Sequence, residues 1–238
     1  MPKVSKRTAA VREKVDADRI YDVDSAISVV KDTATAKFDE TVELHLKMGL
    51  DGRHADQQIR GSVVMPNGLG RTMRVAVFAE GEAASLANGA GADVVGSDDL
   101  IARIEGGEFD FDIILAQREL MGKVGRLGRV LGPRGLMPNP RSGTVVEANQ
   151  IERAVREAKS GRVEFRLDRT NLVHCAIGKV SFDERQLSEN LAALIGEIVK
   201  AKPSGSKGQY VRSASLASTM GPGVAIDVSA LVALASEA

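Results

Sequence analysis

Residues 38–50, Phe38-Asp39-Glu40-Thr41-Val42-Glu43-Leu44-His45-Leu46-Lys47-Met48-Gly49-Leu50, alternate with a period of two. Val42, Leu44, Leu46, Met48 and Leu50 share one side, while Glu43, His45 and Lys47 share the other. That pattern predicts a half-buried strand of an antiparallel sheet. Upstream, Ile27, Val30 and Ala34 recur at helical spacing behind Asp24, the candidate N-cap. The first twenty residues read as a polar helix or arm carrying Lys3, Lys6, Arg7, Arg12 and Lys14. Downstream, a polar turn, Asp51-Gly52-Arg53-His54, leads to a second strand near Ile59–Met65.

At Pro66-Asn67-Gly68-Leu69-Gly70 the rhythm breaks. Short apolar runs now alternate with helices: Val75–Phe78, Asp93–Val95 and Phe111–Ala116, with Ser97 as the expected cap of the second helix. This predicts βαβ units on a small parallel sheet. After a Gly-rich loop, Asn149 and Glu152 are spaced as a capping box for a further helix. Beyond Ser160-Gly161 the first pattern returns. Val163–Leu167 and Leu172–Val180 alternate as strands, Asp183 and Gln186 pair as a capping box, and a helix runs to Pro203. Tyr210–Leu216 and Val224–Val228 read as final strands, with a frayed tail after them.

Two arrangements fit. Either the two ends form one domain around an inserted middle, with both chain crossings as a hinge, or two domains follow in tandem. The tandem form requires each flank of about 67 residues to bury its own sheet, so insertion is the more economical.

Composition removes several function classes. Aromatics are 3% with no Trp, which argues against an RNA-stacking platform of exposed rings. Formal charge is zero, with 32 basic and 32 acidic residues, so only a local basic face offers a site to phosphate. The lone Cys175 excludes an intramolecular disulfide and a multi-thiolate zinc site. No apolar run approaches the roughly 20 residues of a membrane span. The basic N-terminus lacks the apolar core of a signal peptide, so a cytosolic protein is expected.

The search for catalysis is empty. No Gly-x-Gly-x-x-Gly follows a strand, and Gly122-Lys123 is no phosphate loop, because Gln117 and Val124 stand where glycine and a hydroxyl are needed. His45, His54 and His174 have no metal-ligand spacing, and His45 reads as a solvated residue. His174 and Cys175 are strand neighbours facing opposite ways, so they share no proton. A hinged enzyme, a small-molecule binder and a protein scaffold are the rival classes at this point.

Three segments invite an interaction. Gly122–Pro140 carries Lys123, Arg126, Arg129 and Arg134 and no acid, among glycines that let backbone approach phosphate. Its Leu127, Val130, Leu131, Leu136 and Met137 fit packing on its own domain equally well. Ala217-Ser218-Thr219-Met220-Gly221-Pro222-Gly223 places hydroxyls and bare backbone at a turn. Thr35–Thr41 puts a Lys and a Thr at the start of the alternating strand. Arg53, Arg60, Arg166 and Arg169 add charge to the same half of the chain.

In order along the chain stand Ala36-Lys37-Phe38-Asp39-Glu40-Thr41-Val42-Glu43, Leu131-Gly132-Pro133-Arg134-Gly135-Leu136-Met137-Pro138-Asn139-Pro140, Lys202-Pro203 and Ser218-Thr219-Met220-Gly221. These motifs resemble the bacterial large-subunit ribosomal protein L-one family, from Met1 to about Asp227. The resemblance implies an α/β fold of two domains. One is a discontinuous α+β split-sheet domain, residues 1–67 and 160–238; the other is an inserted Rossmann-like α/β domain, residues 68–159. It implies no catalysis and no cofactor. The partners it implies are large-subunit ribosomal RNA at the mobile stalk, an exit-site tRNA whose release is assisted, and the protein's own operon messenger RNA, whose translation is repressed. It further implies a cytoplasmic, ribosome-bound protein with no membrane partner, monomeric off the ribosome.

Carried over by the resemblance, the RNA contacts fall on Lys37, Phe38 and Thr41, then Arg166, Asp168 and Thr170, then Ser213, Thr219, Met220 and Gly221. Arg53, Arg60 and Arg169 join them as basic neighbours, and Lys123, Arg126, Arg129 and Arg134 form a secondary contact. Phe38 is either a contact or a core residue. Asp168 either accepts from a 2′-hydroxyl or holds a basic neighbour. The family usually reads Phe-Arg-Asn-Asp where this chain has Phe165-Arg166-Leu167-Asp168, so Leu167 supplies no amide contact. Thr219→Ala and Met220→Asp are both expected to weaken RNA binding without loss of stability.

Overall fold

A computed structural model describes residues 5–206 and 208–237. In chain order the elements are α1 (Lys6–Arg12), α2 (Val23–Thr33), β1 (Thr41–Met48), β2 (Arg60–Val64), β3 (Val75–Phe78), α3 (Glu82–Gly89), β4 (Val94–Gly96), α4 (Asp98–Glu105) and β5 (Ile113–Gln117). Then come α5 (Met121–Val124), α6 (Gly128–Leu131), β6 (Val145–Val146), α7 (Ile151–Lys159), β7 (Arg162–Arg166), β8 (Leu172–Lys179), α8 (Glu184–Lys200), β9 (Val211–Ser218), β10 (Val224–Ile226) and α9 (Val228–Glu237). By internal contacts the chain divides into two compact units, Met1–Gly70 with Val163–Ala238, and Arg71–Arg162. Lys3 of the expected basic arm lies outside the described residues.

In the first unit a four-stranded sheet runs β10-β9-β1-β8, with β1 antiparallel to both neighbours. The alternation has its physical consequence here. Val42, Leu44, Leu46 and Met48 are buried with Val173, Cys175, Ile177 and Leu216 beneath Leu187, Leu191, Leu194, Ile195 and Ile198 of α8. Each large aliphatic side chain taken fully out of water contributes about 1.5–3 kcal/mol before entropy. The face opposite these residues stays open to solvent. β2 and β7 form a separate two-stranded sheet.

The second unit holds a parallel sheet in the order β4-β3-β5-β6, flanked by its helices. β3 is buried along its whole length, as its continuous apolar run requires.

Several expectations change. The cap of α2 is Asp22, whose carboxylate accepts the Ser25 N–H at 3.3 Å, two residues before Asp24. Asp183 and Gln186 do close a capping box on α8. Asn149 and Glu152 do not: a 3-10 turn over Ala148–Gln150 leads into α7, so the chain enters already helical. Ser97 stands at the N-cap position of α4 as expected, but its hydroxyl donates to Glu80 and does not accept a helix N–H.

The expected Gly-rich loop is largely helical. Leu120, Val124, Leu127 and Leu131 recur every three or four residues and are buried, through α5, α6 and the 3-10 turns around them. Glycines at 122, 125 and 128 take the outer side, where nothing crowds them. The expected frayed tail is α9, seated through the buried Leu231 and packed on α8.

Candidate nucleic-acid interface

The open face of the four-stranded sheet follows from strand period. If Val42, Leu44 and Leu46 face the core, then Glu43, His45 and Lys47 face solvent. Register sets their neighbours: Glu43 stands beside Ala217 and Ala176, His45 beside Ser215 and His174, and Lys47 beside Ser213 and Leu172. Apart from the two rings and Leu172, the face is built from small or polar side chains. Most of the contacts expected in this unit gather at its two ends.

At the first end, Glu40 fastens two segments together. Its side chain is 1% exposed. One carboxylate oxygen accepts the Ala36 N–H at 2.8 Å; the other accepts the Ser218 hydroxyl at 2.8 Å and the Met220 N–H at 2.9 Å. Burial alone pushes this carboxyl up. The N–H donors of Ala36 and Met220, the Ser218 hydroxyl and the Arg7 charge outweigh it, holding the group below the usual glutamate range. Backbone bonds close the rest of the join. Thr41 N–H donates to the Thr219 hydroxyl at 2.9 Å, and Thr219 N–H returns to the Thr41 carbonyl at 3.0 Å.

The result presents Lys37, Phe38, Thr219 and Met220 outward. Phe38 is 55% exposed and Met220 52%, so Phe38 is no core residue. A Cβ at Gly221 would lie 2.5 Å from the Ser218 hydroxyl, which explains the glycine by close approach. Thr41 is half-buried, its own hydroxyl held by Lys179 at 2.9 Å.

At the second end, Asp168 organises a turn. Its carboxylate accepts the N–H groups of Thr170 and Leu172, each at 2.8 Å, and the Thr170 hydroxyl. Burial raises this carboxyl, but the Leu172 N–H and then the Thr170 donors bring it below the ordinary aspartate value. Asp168 therefore positions Thr170 within the protein. Lys47 donates to the Thr170 carbonyl at 3.0 Å, which ties the turn to the sheet. Arg53, Arg169 and Arg212 line a cleft of about 600 Å³ beside it, with Asp51 as the only carboxylate in its wall among the described residues. Ser213 is exposed on β9 next to Arg212.

Arg166 is exposed on β7, whereas Arg60 on β2 pairs with Glu164 at 3.1 Å and is only partly open. Leu167 is 2% exposed. Leu167 is thus a core residue and offers no contact to a partner.

The four basic residues expected as a secondary contact in the second unit differ in what surrounds them. Lys123 lies 2.9 Å from Glu80 and 3.1 Å from Asp98, and the bonds to Glu80 and then Asp98 raise its pKa. The Arg134 guanidinium stacks 3.5 Å from the Phe109 ring centroid. Arg126 and Arg129 are exposed and have no ion pair among the described residues.

Sequence reasoning missed Glu40, Lys47 and Arg212. Lys47 was legible on the polar side of the strand; the role of Glu40 depends on partners up to 180 residues away. The structure also joins His45 to His174, which spacing had left as scattered residues. Cys175 is buried, its thiol pushed up to about 12 by that burial, so it is no nucleophile at neutral pH. Among the described residues no three His, Cys, Asp or Glu side chains are grouped to hold a metal, and no helix is long and apolar enough to cross a membrane.

Known proteins resemble this chain along almost its whole length. The family model described as the Ribosomal protein L1p/L10e family matches residues 30–222. A protein named Large ribosomal subunit protein uL1 from Chloroflexus aggregans is 58% identical over 232 residues, 97% of this chain and 98% of its own. Its namesake from Chloroflexus aurantiacus is 58% identical over 228 residues, 95% of this chain and 96% of its own. That of Dehalococcoides mccartyi is 54% identical over 220 residues, 92% of this chain and 93% of its own.

Proposed function

The chain belongs to the ribosomal protein L1p/L10e family, and on that premise we infer that it is a structural, non-enzymatic constituent of the large ribosomal subunit. It binds ribosomal RNA and works in the cytoplasm as part of the ribosome.

We propose that residues 1–67 and 160–238 act as one RNA-binding domain and that residues 68–159 are an inserted Rossmann-like domain. The RNA is the bent helical junction of the mobile stalk beside the tRNA exit site, where the protein assists release of deacylated tRNA. Off the ribosome the protein is a monomer and represses its own operon by binding its messenger RNA. No cofactor takes part.

One observation carries the site reading: the Glu40 join holds two distant segments so that Lys37, Phe38, Thr219 and Met220 stand exposed at one end of an open sheet face. Exposed apolar side chains beside a free lysine are suited to sugars and base edges next to phosphate. Thr41, Gly221, Asp168 and Thr170 shape the two ends; Ser213, Arg53, Arg166, Arg169 and the partly paired Arg60 contribute hydroxyl or charge. In the inserted domain Arg126 and Arg129 are the better candidates for a secondary RNA contact than Lys123 and Arg134, which already have partners.

Filter binding against a stalk-RNA fragment tests this, in a salt series, with the messenger leader as competitor. Binding tighter than micromolar that weakens steeply with salt is expected. Salt-independent binding, or none, would overturn the site; failure of the leader to compete would remove only the repressor role.

A further inference from the structure

His45 and His174 meet on the open sheet face, between the two ends described above. Nδ1 of one ring lies 2.8 Å from Nδ1 of the other, and the rings meet edge to face with centroids 5.0 Å apart. Each outer nitrogen faces a carboxylate: His45 Nε2 is 3.9 Å from Glu43, and His174 Nε2 is 3.9 Å from Asp168. Two residues along β1 in one direction comes Glu43, then Thr41 with its partner Thr219. Two residues in the other comes Lys47, beside Ser213 and bonded to Thr170. An RNA strand that touches both ends crosses these rings.

The 2.8 Å contact constrains the protons. It is a hydrogen bond only when one Nδ1 carries hydrogen and the other offers its lone pair. In a neutral pair the two rings are therefore opposite tautomers, one with a bare Nε2 and the other with Nε2–H. One further proton fits on the bare Nε2 and leaves the central bond intact. A second would put hydrogen on both Nδ1 atoms and break it. The pair is built to switch between neutral and singly charged.

We propose that the His45–His174 pair is a further contact of the RNA interface, and that RNA binding takes up one proton there. This rests on the reading of the sheet face as the RNA site. With both Nε2 atoms protonated, the pair offers two donors to phosphate or sugar oxygens where the neutral pair offers one. The charged neighbours on this face are Glu43 and Lys47 from β1 and Asp168 from the turn before β8. β9 contributes Ser213, Ser215 and Ala217 and β8 contributes Ala176, none of which titrates. Burial and then the neighbouring ring push His45 down, against the pull of Glu43, which favours a neutral His45 ring in the free protein near pH 7. A phosphate over the rings adds the negative charge that reverses this balance.

The sign follows from linkage. The bound state holds more protons than the free state, so affinity rises as pH falls, by at most about tenfold per pH unit for one proton. The experiment is fluorescence anisotropy with the stalk-RNA fragment from pH 5.5 to 8.5 at fixed ionic strength, on the wild type, His45→Gln, His174→Gln and His54→Gln. Proton NMR of the histidine rings, with and without RNA, accompanies it.

The wild type and His54→Gln should bind about three- to tenfold more tightly at pH 6 than at pH 8. His45→Gln and His174→Gln should be flat, with a ring pKa that rises on RNA addition in the wild type. A flat wild-type profile overturns the proposal while leaving the RNA site standing; so does an unchanged slope in both pair variants, or transfer of the slope to His54. Absence of RNA binding at every pH overturns the site reading and this inference with it. If either pair variant unfolds, the wild-type NMR shift decides.

Discussion

The carboxylate of Glu40 accepts the backbone N–H of Met220 at 2.9 Å, across 180 positions of sequence. With the bonds from Ala36 and Ser218, it welds the approach to β1 to the turn after β9. Glu40→Gln keeps the shape but turns an amide N–H2 toward existing donors. The expected cost is about 1–3 kcal/mol in denaturant unfolding, together with weaker RNA binding. The same loss of stability with unchanged affinity would make Glu40 a packing residue only. The pH behaviour has a definite sign. The folded pKa is lowered, so this stabilisation is complete above the ordinary glutamate value of 4.5 and is lost as pH falls through the lowered one. Glu40→Gln should flatten that acid limb.

Thr219 and Met220 are adjacent yet should respond differently. The Thr219 hydroxyl accepts the Thr41 N–H, so Thr219→Ala should lower stability by about 1 kcal/mol as well as weaken RNA binding. This departs from the expectation drawn from sequence. Met220 is 52% exposed, and only its backbone is bonded. Met220→Asp should leave the melting temperature unchanged and reduce RNA affinity. Equal melting temperatures for both variants would remove the structural role of the threonine hydroxyl.

Salt dependence separates free cations from paired ones. Lys37→Gln and Arg166→Gln should each reduce the slope of log affinity against log salt by about one unit. Lys123→Gln should leave it unchanged, because Glu80 and Asp98 already hold that ammonium. A slope change at Lys123 would mean that RNA breaks those ion pairs and would restore it as a contact.

Glycines in the second unit report whether the helical turns of residues 118–131 exist for stability alone. A Cβ at Gly125 or Gly128 meets nothing within 4 Å. Each Gly→Ala change should therefore stabilise by about 0.4–1 kcal/mol. If affinity for RNA drops at the same time, the bare backbone serves an approaching partner. Gly61 is the contrast. Its Cβ would lie 2.5 Å from Phe165 Cζ, so Gly61→Ala should destabilise by about 1–3 kcal/mol through overpacking. Chemical unfolding of the three variants checks all of this.

Which side of each strand meets water was legible from residue order alone. The alternation of 41–48 is local and one-dimensional, and a shift by one residue would expose its whole apolar set. Residue order likewise determined the short apolar strands of the second unit and the capping box of α8. Gly-rich composition misled at 118–131 because the glycines mask a helical apolar stripe, and the tail misled because α9 needs the surface of α8 to pack on. What the open face carries came from the folded arrangement. Glu40 with Met220, Asp168 with Thr170 and Lys47, and His45 with His174 are pairings made by strand register and turns. A carboxylate or an imidazole has no chemistry of its own until the fold chooses its neighbour. Side-chain type is written locally, but hydrogen-bond partners and charge environment are set by distance in space.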